Sequence, residues 1–424
     1  MILKNYDRFG EKVYIIKMKN GMQVHILPKE EPYYTTYVEL SVPYGALDLN
    51  YTYDQKHYTS PYGTAHFLEH KVFAMPEGDA FQMFSALGVD ANAMTSYNQT
   101  SYLFVATDKV MPALSHLMRM LDTPFFTLEN IESEKNIIAE ELKMYLDDPN
   151  VEMQNHLMEM MYHEHPIRYD IGGTLTSIMD INLETLNHIY AHFYQPNNRL
   201  ITIAGKVDVK VIHAFFKQYD QEHPVKLQKP KTVYPKEPKR LKEKYVVEEK
   251  EIGLNKVMLG VKLPVTKLNK RDQIKRELSL SVALNMLLGP SSEMYATLLE
   301  KKYINQSFNV SSTFEKHAEY IMIYAETKKV YALKKIMIDF LTKEALNALT
   351  QEAYDRYKKV FLGQFIYALN NLETKAYLYG KYYHMGSSLF EVVDMLTEMS
   401  YQDVIDSLKL IEKKYIAALI YKKA

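Results

Sequence analysis

Residues 63–73 read GTAHFLEHKVF, inside a stretch, 61–75, whose pattern predicts a helix. On a helix His66 and His70 stand at i and i+4, with Glu69 three residues after His66. All three side chains then project from one side. Two imidazoles so placed can grip one ion while the carboxylate reaches the water bound to it. Zinc favours neutral imidazole nitrogens and a four-coordinate site with one open position. HxxEH is the reversed order of the HExxH zinc motif. The bland alternative is a solvated polar helix face.

Two histidines are not enough, because a catalytic zinc takes a third protein ligand, commonly a carboxylate. Residues 129–149, ENIESEKNIIAEELKMYLDDP, supply the best candidates on a helix expected over 127–147. Glu134 and Glu141 lie two turns apart and so share a face. Ile137, Ile138 and Leu142 form a neighbouring apolar stripe that could pack this helix into a core. Glu140 is the nearest rival to Glu141 as a ligand, and Glu132 and Glu140 read as surface charges. Taken alone, this segment would be an acidic surface helix with Glu-to-Lys pairs.

The rest of the chain narrows the classes. Its 424 residues are too many for one ordinary domain, and 47% hydrophobic content can fill sizeable cores. Basic and acidic residues balance at 51 to 52, which argues against a nucleic-acid partner needing a positive field. There is no cysteine, so disulfides, thiol nucleophiles and Cys-ligated metals are excluded. Any metal must be held by histidine and carboxylate. No apolar core of signal-peptide length opens the sequence, and no run of about 18 apolar residues occurs. The expectation is a cytoplasmic protein without a membrane partner.

Two halves share one order of elements. In the first, YYTTYVELSVPYG (33–45) alternates as a strand, and helical patterns follow at 61–75 and 78–87. VDANAMTSY and TSYLFVAT read as paired strands joined by Asn98 and Gln99, then helices at 109–121 and 127–147. NRLITIAGKV reads as a buried strand. In the second half NKVMLGVKLPV, helices at 272–288 and 292–302, the pair INQSFNVSSTF and AEYIMIYAET, long helices from 329 and a final strand YIAALIYKK repeat that order. The fold class expected is α+β, with two similar domains, each a mainly antiparallel β-sheet covered by helices. Residues 223–242 hold four of the 16 prolines among lysines and read as a solvated linker. The expected division is a metal-bearing domain over 1–222, the linker, and a second domain over 243–424.

Four segments carry a family resemblance: GTAHFLEHKVF, GVDANAMTSYNQTSYLF (88–104), ESEKNIIAEELKMYLDDP (132–149) and the run from His165 to Asp208. In this order they resemble the N-terminal half of the insulinase (pitrilysin) zinc peptidases, over about residues 10–220. The C-terminal half is similar in layout only, and the size resembles the short bacterial branch of two-chain enzymes. The resemblance implies a mitochondrial-processing-peptidase-like fold and a Zn2+ cofactor. It implies His66, His70 and Glu141 as zinc ligands, Glu69 as general base and Glu134 as the outer carboxylate supporting the site. The interval from His70 to Glu141 is slightly shorter than the family's, with residues absent near PEGD (76–79). ANAMTS (91–96) resembles the family's edge strand beside the metal, which makes Asn92 and Ala93 the expected peptide contacts.

The second half departs from the pattern. Self-sufficient members carry an Arg and a Tyr that hold the substrate carbonyl; at the matching places in SSEMYATLLEKKYINQSFNV (291–310) stand Leu299 and Gln306. Leucine donates no hydrogen bond. The second half also lacks HxxEH, with RELSLSVALNML (276–287) in the equivalent helix. The resemblance therefore implies a heterodimer, in which a related metal-free chain supplies the Arg/Tyr pair. The substrate class implied is unstructured peptide, and paired bacterial relatives include enzymes that trim leader segments from precursors. The alternatives are a non-catalytic zinc-binding scaffold or interaction subunit and a hydrolase of non-peptide amides. Intact Glu69 disfavours the first, since a structural site needs no base, and the edge strand disfavours the second.

Other histidines read as structural. His188 and His192 are i, i+4 in NHIYAH without a carboxylate between them, and His163 and His165 precede Pro166 in a loop-like stretch. The tyrosines of YGKYYHMG (379–386) read as core packing.

Overall fold

A computed structural model describes residues 1–223, 228–265 and 267–424. The chain forms two compact units, each an α+β assembly of a mainly antiparallel sheet and its covering helices.

The first unit contains residues 1–142, 170–233 and 368–389. Its strands are β1 (Ile2–Tyr6), β2 (Glu11–Lys17), β3 (Gln23–Pro28), β4 (Thr36–Val42), β5 (Asn50–Tyr53), β6 (Lys56–Thr59), β7 (Ala74–Met75), β8 (Gly78–Asp79), β9 (Asp90–Thr95), β10 (Thr100–Ala106), β11 (Leu200–Gly205) and β12 (Lys231–Thr232). Seven make the main sheet, in the order β1-β2-β3-β11-β4-β10-β9. Only the β11–β3 pair is parallel; the other five are antiparallel. Strand β9 ends up at the edge, with Asn92 opposite Leu103 and Ala93 opposite Tyr102 on β10.

Strand β4 shows why the sheet is sandwiched. Val38, Leu40 and Val42 point to one face and join a core with Phe67, Leu68 and Val72 from the helix Thr64–Val72. Tyr37, Glu39 and Ser41 point to the other face, yet every residue of β4 is buried. The helix Leu372–His384 covers them: Tyr379 OH lies 2.7 Å from His25 Nδ1, and His384 Nε2 lies 2.8 Å from Ser41 Oγ. The YGKYYHMG tyrosines thus serve packing, with Tyr379 and Tyr382 buried.

The second unit contains residues 143–169, 234–367 and 390–424. Its strands are β13 (Tyr245–Lys250), β14 (Lys256–Lys262), β15 (Asn309–Glu315), β16 (Ala318–Glu326) and β17 (Ile416–Lys423), in the order β13-β17-β14-β16-β15. Here β13–β17 is the parallel pair. This is the order β3-β11-β4-β10-β9 again, with the parallel pair in the same place and two helices again between the second and third strands of the repeat. The helix Pro149–Met161 packs on β14 and β17, as Leu372–His384 packs on β4 and β11.

The units therefore interleave in sequence, where the sequence reading drew one boundary. Each sheet needs its second face covered, and the covering helix comes from the other half of the chain. In the second unit Gly260 on β14 lies close under Met161 and Leu157 of the covering helix. Of the expected linker, residues 224–227, including Pro224, lie outside the described residues. The remainder is not a free solvated spacer. Lys231 and Thr232 pair with β5, and Thr232 Oγ1 donates to Asp48 Oδ1 at 2.6 Å. The Glu237 carboxylate accepts from the amides of His163, Glu164 and His165 and from Lys262 Nζ. Prolines remove backbone donors and keep the segment extended, but its side chains remain able to bond.

Candidate metal centre

The helix Thr64–Val72 begins at Gly63, whose φ of +84° only glycine adopts readily. Its apolar face anchors it in the core, and this fixes where His66, Glu69 and His70 point. The helix Leu128–Leu146 is held by buried Ile131, Ile138 and Leu142, which turns Glu134 and Glu141 toward the histidines. Ile137, expected in that apolar stripe, is exposed instead.

Glu141 Oε1 lies 3.8 Å from His66 Nε2, and its Oε2 lies 3.7 Å from His70 Nε2. One ligand atom from each residue falls within 4.8 Å of the others, and no other metal-capable cluster of three exists among the described residues. Zinc bonds of about 2.0–2.1 Å at a tetrahedral angle want ligand atoms about 3.3 Å apart. The two histidine-to-Glu141 separations are about half an ångström longer than that, and two imidazoles and one carboxylate are a zinc donor set. The residues present fit the ion. Glu140, the rival, is not part of this cluster.

Glu134 takes a different place. Its Oε1 lies 3.0 Å from His70 Nδ1, and its Oε2 accepts from Lys71 Nζ at 3.1 Å. Burial works against the charged carboxylate, but these two partners outweigh it and hold Glu134 below the ordinary value. Burial likewise disfavours a charged His70, yet the Glu134 hydrogen bond and charge raise it overall. His66 is pushed down, first by burial and then by the neighbouring His70, while Glu141, Asp170 and Glu134 pull the other way.

Glu69 is 8% exposed and accepts a hydrogen bond from Thr95 Oγ1 on β9. Burial raises its carboxyl above the usual range, with Thr95 and His70 opposing and the Glu141 charge adding to the rise. A carboxylate so perturbed beside a cluster of ligands is the chemical profile of a proton acceptor. Thr95 was not singled out in the sequence; its place in the ANAMTS edge strand was the available signal.

Asn92 is exposed on β9, and its Oδ1 accepts from the Ala93 amide at 2.8 Å. Leu299 lies exposed on the helix Glu293–Glu300 of the second unit, and Gln306 is exposed in the loop before β15. The equivalent of the histidine helix in that unit, Lys270–Leu288, carries no such cluster; its Arg276 pairs with Glu319 at 2.7 Å. His192 Nδ1 lies 2.9 Å from Tyr51 OH and its ring stacks near His188, while His165 Nε2 donates to the Lys316 carbonyl at 2.9 Å. These contacts are the packing kind expected of these histidines.

Comparison with known proteins gives the family. Residues 35–175 match the family described as Insulinase (Peptidase family M16), and residues 180–361 match the Peptidase M16 inactive domain. The chain is 35% identical to the uncharacterized zinc protease YmfH of Bacillus subtilis, over 94% of each chain. It is 26% identical to the zinc protease PqqE of Helicobacter pylori, over 87% of this chain and 82% of that one. Among solved structures, an M16-like peptidase from Alicyclobacillus acidocaldarius superposes with a TM-score of 0.91 over 98% of this chain and 99% of that one, at 24% identity. The periplasmic protease PqqL from Escherichia coli shares the fold at a TM-score of 0.76 and 15% identity, over all of this chain and 48% of that one. Of the present chain, no described helix is long and apolar enough to cross a membrane. Its fold, its two matched segments and its full-length relatives place the chain in the insulinase family of peptidases, family M16.

Proposed function

We propose that this chain is a zinc-dependent endopeptidase acting on unstructured peptides, with His66, His70 and Glu141 holding the ion. The observation that carries the reading is the convergence of those three side chains, with buried Glu69 beside them and the edge strand β9 touching Glu69 through Thr95. A zinc ion in such a site supplies activation of water and polarisation of the scissile carbonyl. Glu69 accepts the proton of the attacking water and returns it to the leaving amine. Glu134 keeps the His70 ring oriented with its Nε2 toward the cluster. An extended peptide adds to β9 through backbone hydrogen bonds, displacing the contact between Asn92 and the Ala93 amide. Binding of this kind reads shape more than sequence and requires an unfolded segment, such as the leader of a precursor peptide.

The second part of the proposal concerns the partner. Leu299 and Gln306 stand where self-sufficient relatives carry the carbonyl-holding Arg and Tyr, so this chain works as the zinc-bearing subunit of a heterodimer with a related metal-free chain. The test is cleavage of a fluorogenic unstructured peptide by metal-stripped chain, by zinc-reloaded chain, and by either one mixed with a metal-free homologue carrying the Arg/Tyr pair. The expected result is chelator-sensitive turnover that is weak for the single chain and much faster for the mixture. Turnover indifferent to chelator would overturn the zinc reading. Full activity from the single chain would overturn the partner.

A further inference from the structure

We infer that Asp170 is the positioning residue for His66, the counterpart of what Glu134 is for His70. The inference rests on the metal reading above and concerns a residue outside the ligand helices.

The two histidines are unequally supported. His70 presents Nε2 toward Glu141 and has Glu134 on its Nδ1. His66 also presents Nε2 toward Glu141, but its Nδ1 is buried without a hydrogen-bond partner. An imidazole that binds an ion through Nε2 must carry its proton on Nδ1, and a buried N–H left unpaired costs about 1–3 kcal/mol. Metal-bound histidines almost always give that proton to a carboxylate, a carbonyl or a water.

What faces His66 Nδ1 is Gly172. A Cβ at Gly172 would lie 3.5 Å from His66 Nδ1 and 3.2 Å from Asp170 Oδ1. The imidazole Nδ1 and the Asp170 carboxylate therefore both border the space that a side chain at residue 172 would fill, and the Asp170 charge acts on His66. The same Cβ would press on Leu142 Cδ2 at 2.8 Å, so that space lies between the two ligand helices. A small turn of the half-buried Asp170, or one bridging water, would bring the carboxylate to Nδ1.

The backbone holds Asp170 in place. Its Oδ1 accepts from the Gly172 amide at 2.8 Å, and the Gly173 amide donates to its carbonyl at 2.9 Å. Residues 172 and 173 are packed, backbone to backbone, on the start of the histidine helix. A Cβ at Gly63 would collide with the Gly172 carbonyl, and one at Gly173 would lie 2.7 Å from the Tyr62 carbonyl. Ser177 Oγ also donates to the Tyr62 carbonyl, at 2.9 Å. Three glycines and one serine thus lock the segment carrying Asp170 to the helix carrying His66. With Nδ1–H held by Asp170, the His66 ring stays in the tautomer and orientation that leave Nε2 free for the ion.

The experiment measures zinc affinity of the full chain by competition with a chromophoric chelator, for wild type, D170N and D170A. Asn keeps an oxygen for the Gly172 amide, so D170N preserves the turn while removing the charge. The expected losses are about 10-fold for D170N and up to about 100-fold for D170A, with zinc-saturated kcat and KM near wild type. Nitrogen-15 spectra of histidine-labelled, zinc-bound wild type should show a protonated His66 Nδ1 whose resonance moves in D170N. Wild-type affinity and an unmoved resonance in D170N would overturn the assignment alone. Wild type that fails to bind zinc would instead remove the metal reading and this assignment with it.

Discussion

The carboxylate of Glu134 bridges two consecutive residues of the histidine helix, with Oε1 3.0 Å from His70 Nδ1 and Oε2 3.1 Å from Lys71 Nζ. It therefore acts on the ligand cluster through His70 and not as a member of the cluster. Glu134→Gln should keep the ring in place through the amide oxygen but lose the charge. We expect zinc affinity to fall about 10- to 100-fold, read by chelator competition, with turnover largely restored at saturating zinc. Loss of turnover that excess zinc cannot restore would show that Glu134 touches the reacting groups.

Glu69 is the opposite case. It lies outside the cluster of three, yet it is the buried carboxylate nearest in sequence to both histidines. Glu69→Gln should leave zinc stoichiometry unchanged, measured by elemental analysis, and lower kcat at least about 100-fold. Thr95→Val, which removes the hydroxyl donor to Glu69, should lower kcat less and leave zinc binding alone. Normal turnover in E69Q would end the assignment of the base.

The histidine helix depends on Gly63. Its φ is +84°, and a side chain there would run into the Gly172 carbonyl. Gly63→Ala combines left-handed strain with a backbone collision, and should destabilise the first unit by about 2–4 kcal/mol. Gly10 has a similar positive φ but open space around it. Gly10→Ala should therefore cost only about 1 kcal/mol. Equal losses of thermal stability in the two variants would show that the Gly63–Gly172 contact carries no energy.

These residues also mark how far the sequence could be read. The ligand helices, the β9–β10 pair and the repeated strand order were legible because each rests on local periodicity. Helical spacing put His66 and His70 on one face and Glu134 and Glu141 on another, but only the family resemblance brought Glu141 to the two histidines. Strands β1, β2, β3 and β13 were among those not picked out; β1 is exposed at nearly every position and β13 alternates between exposed and half-buried, so those two show no buried face. The polar face of β4 reads as solvent-facing, because the helix that buries it comes from residues 372–384, far along the chain. Nothing local at Ser41 announces His384. Asp170 was hidden for the same reason, since its relation to His66 is made by backbone contact between distant glycines.

That buried polar face gives a pH dependence that can be isolated. Glu39 is 1% exposed, and neither of its carboxylate oxygens has a well-formed hydrogen bond. Burial pushes its carboxyl up to about 7, with partial compensation from Ser101 and a further rise from the Glu373 charge. In the folded chain Glu39 then holds its proton between about pH 4.5 and 7, where the unfolded chain has lost it. Stability from this group is complete below pH 4.5 and is lost as pH rises to 7, at about 1.4 kcal/mol per unit. Above 7 both states are ionised and the contribution is flat. His25 on the same face runs the other way: burial lowers it to about 4, so its contribution is lost as pH falls below 6.5. Glu39→Gln removes only the first effect. Relative to wild type, the variant should gain on the order of 3 kcal/mol between pH 4.5 and 7.5, read from urea midpoints in the presence of chelator. Chelator keeps the metal site from adding its own proton linkage. A difference between variant and wild type that stays constant across this range would mean that Glu39 is charged in the folded protein and partnered in a way the buried face does not show.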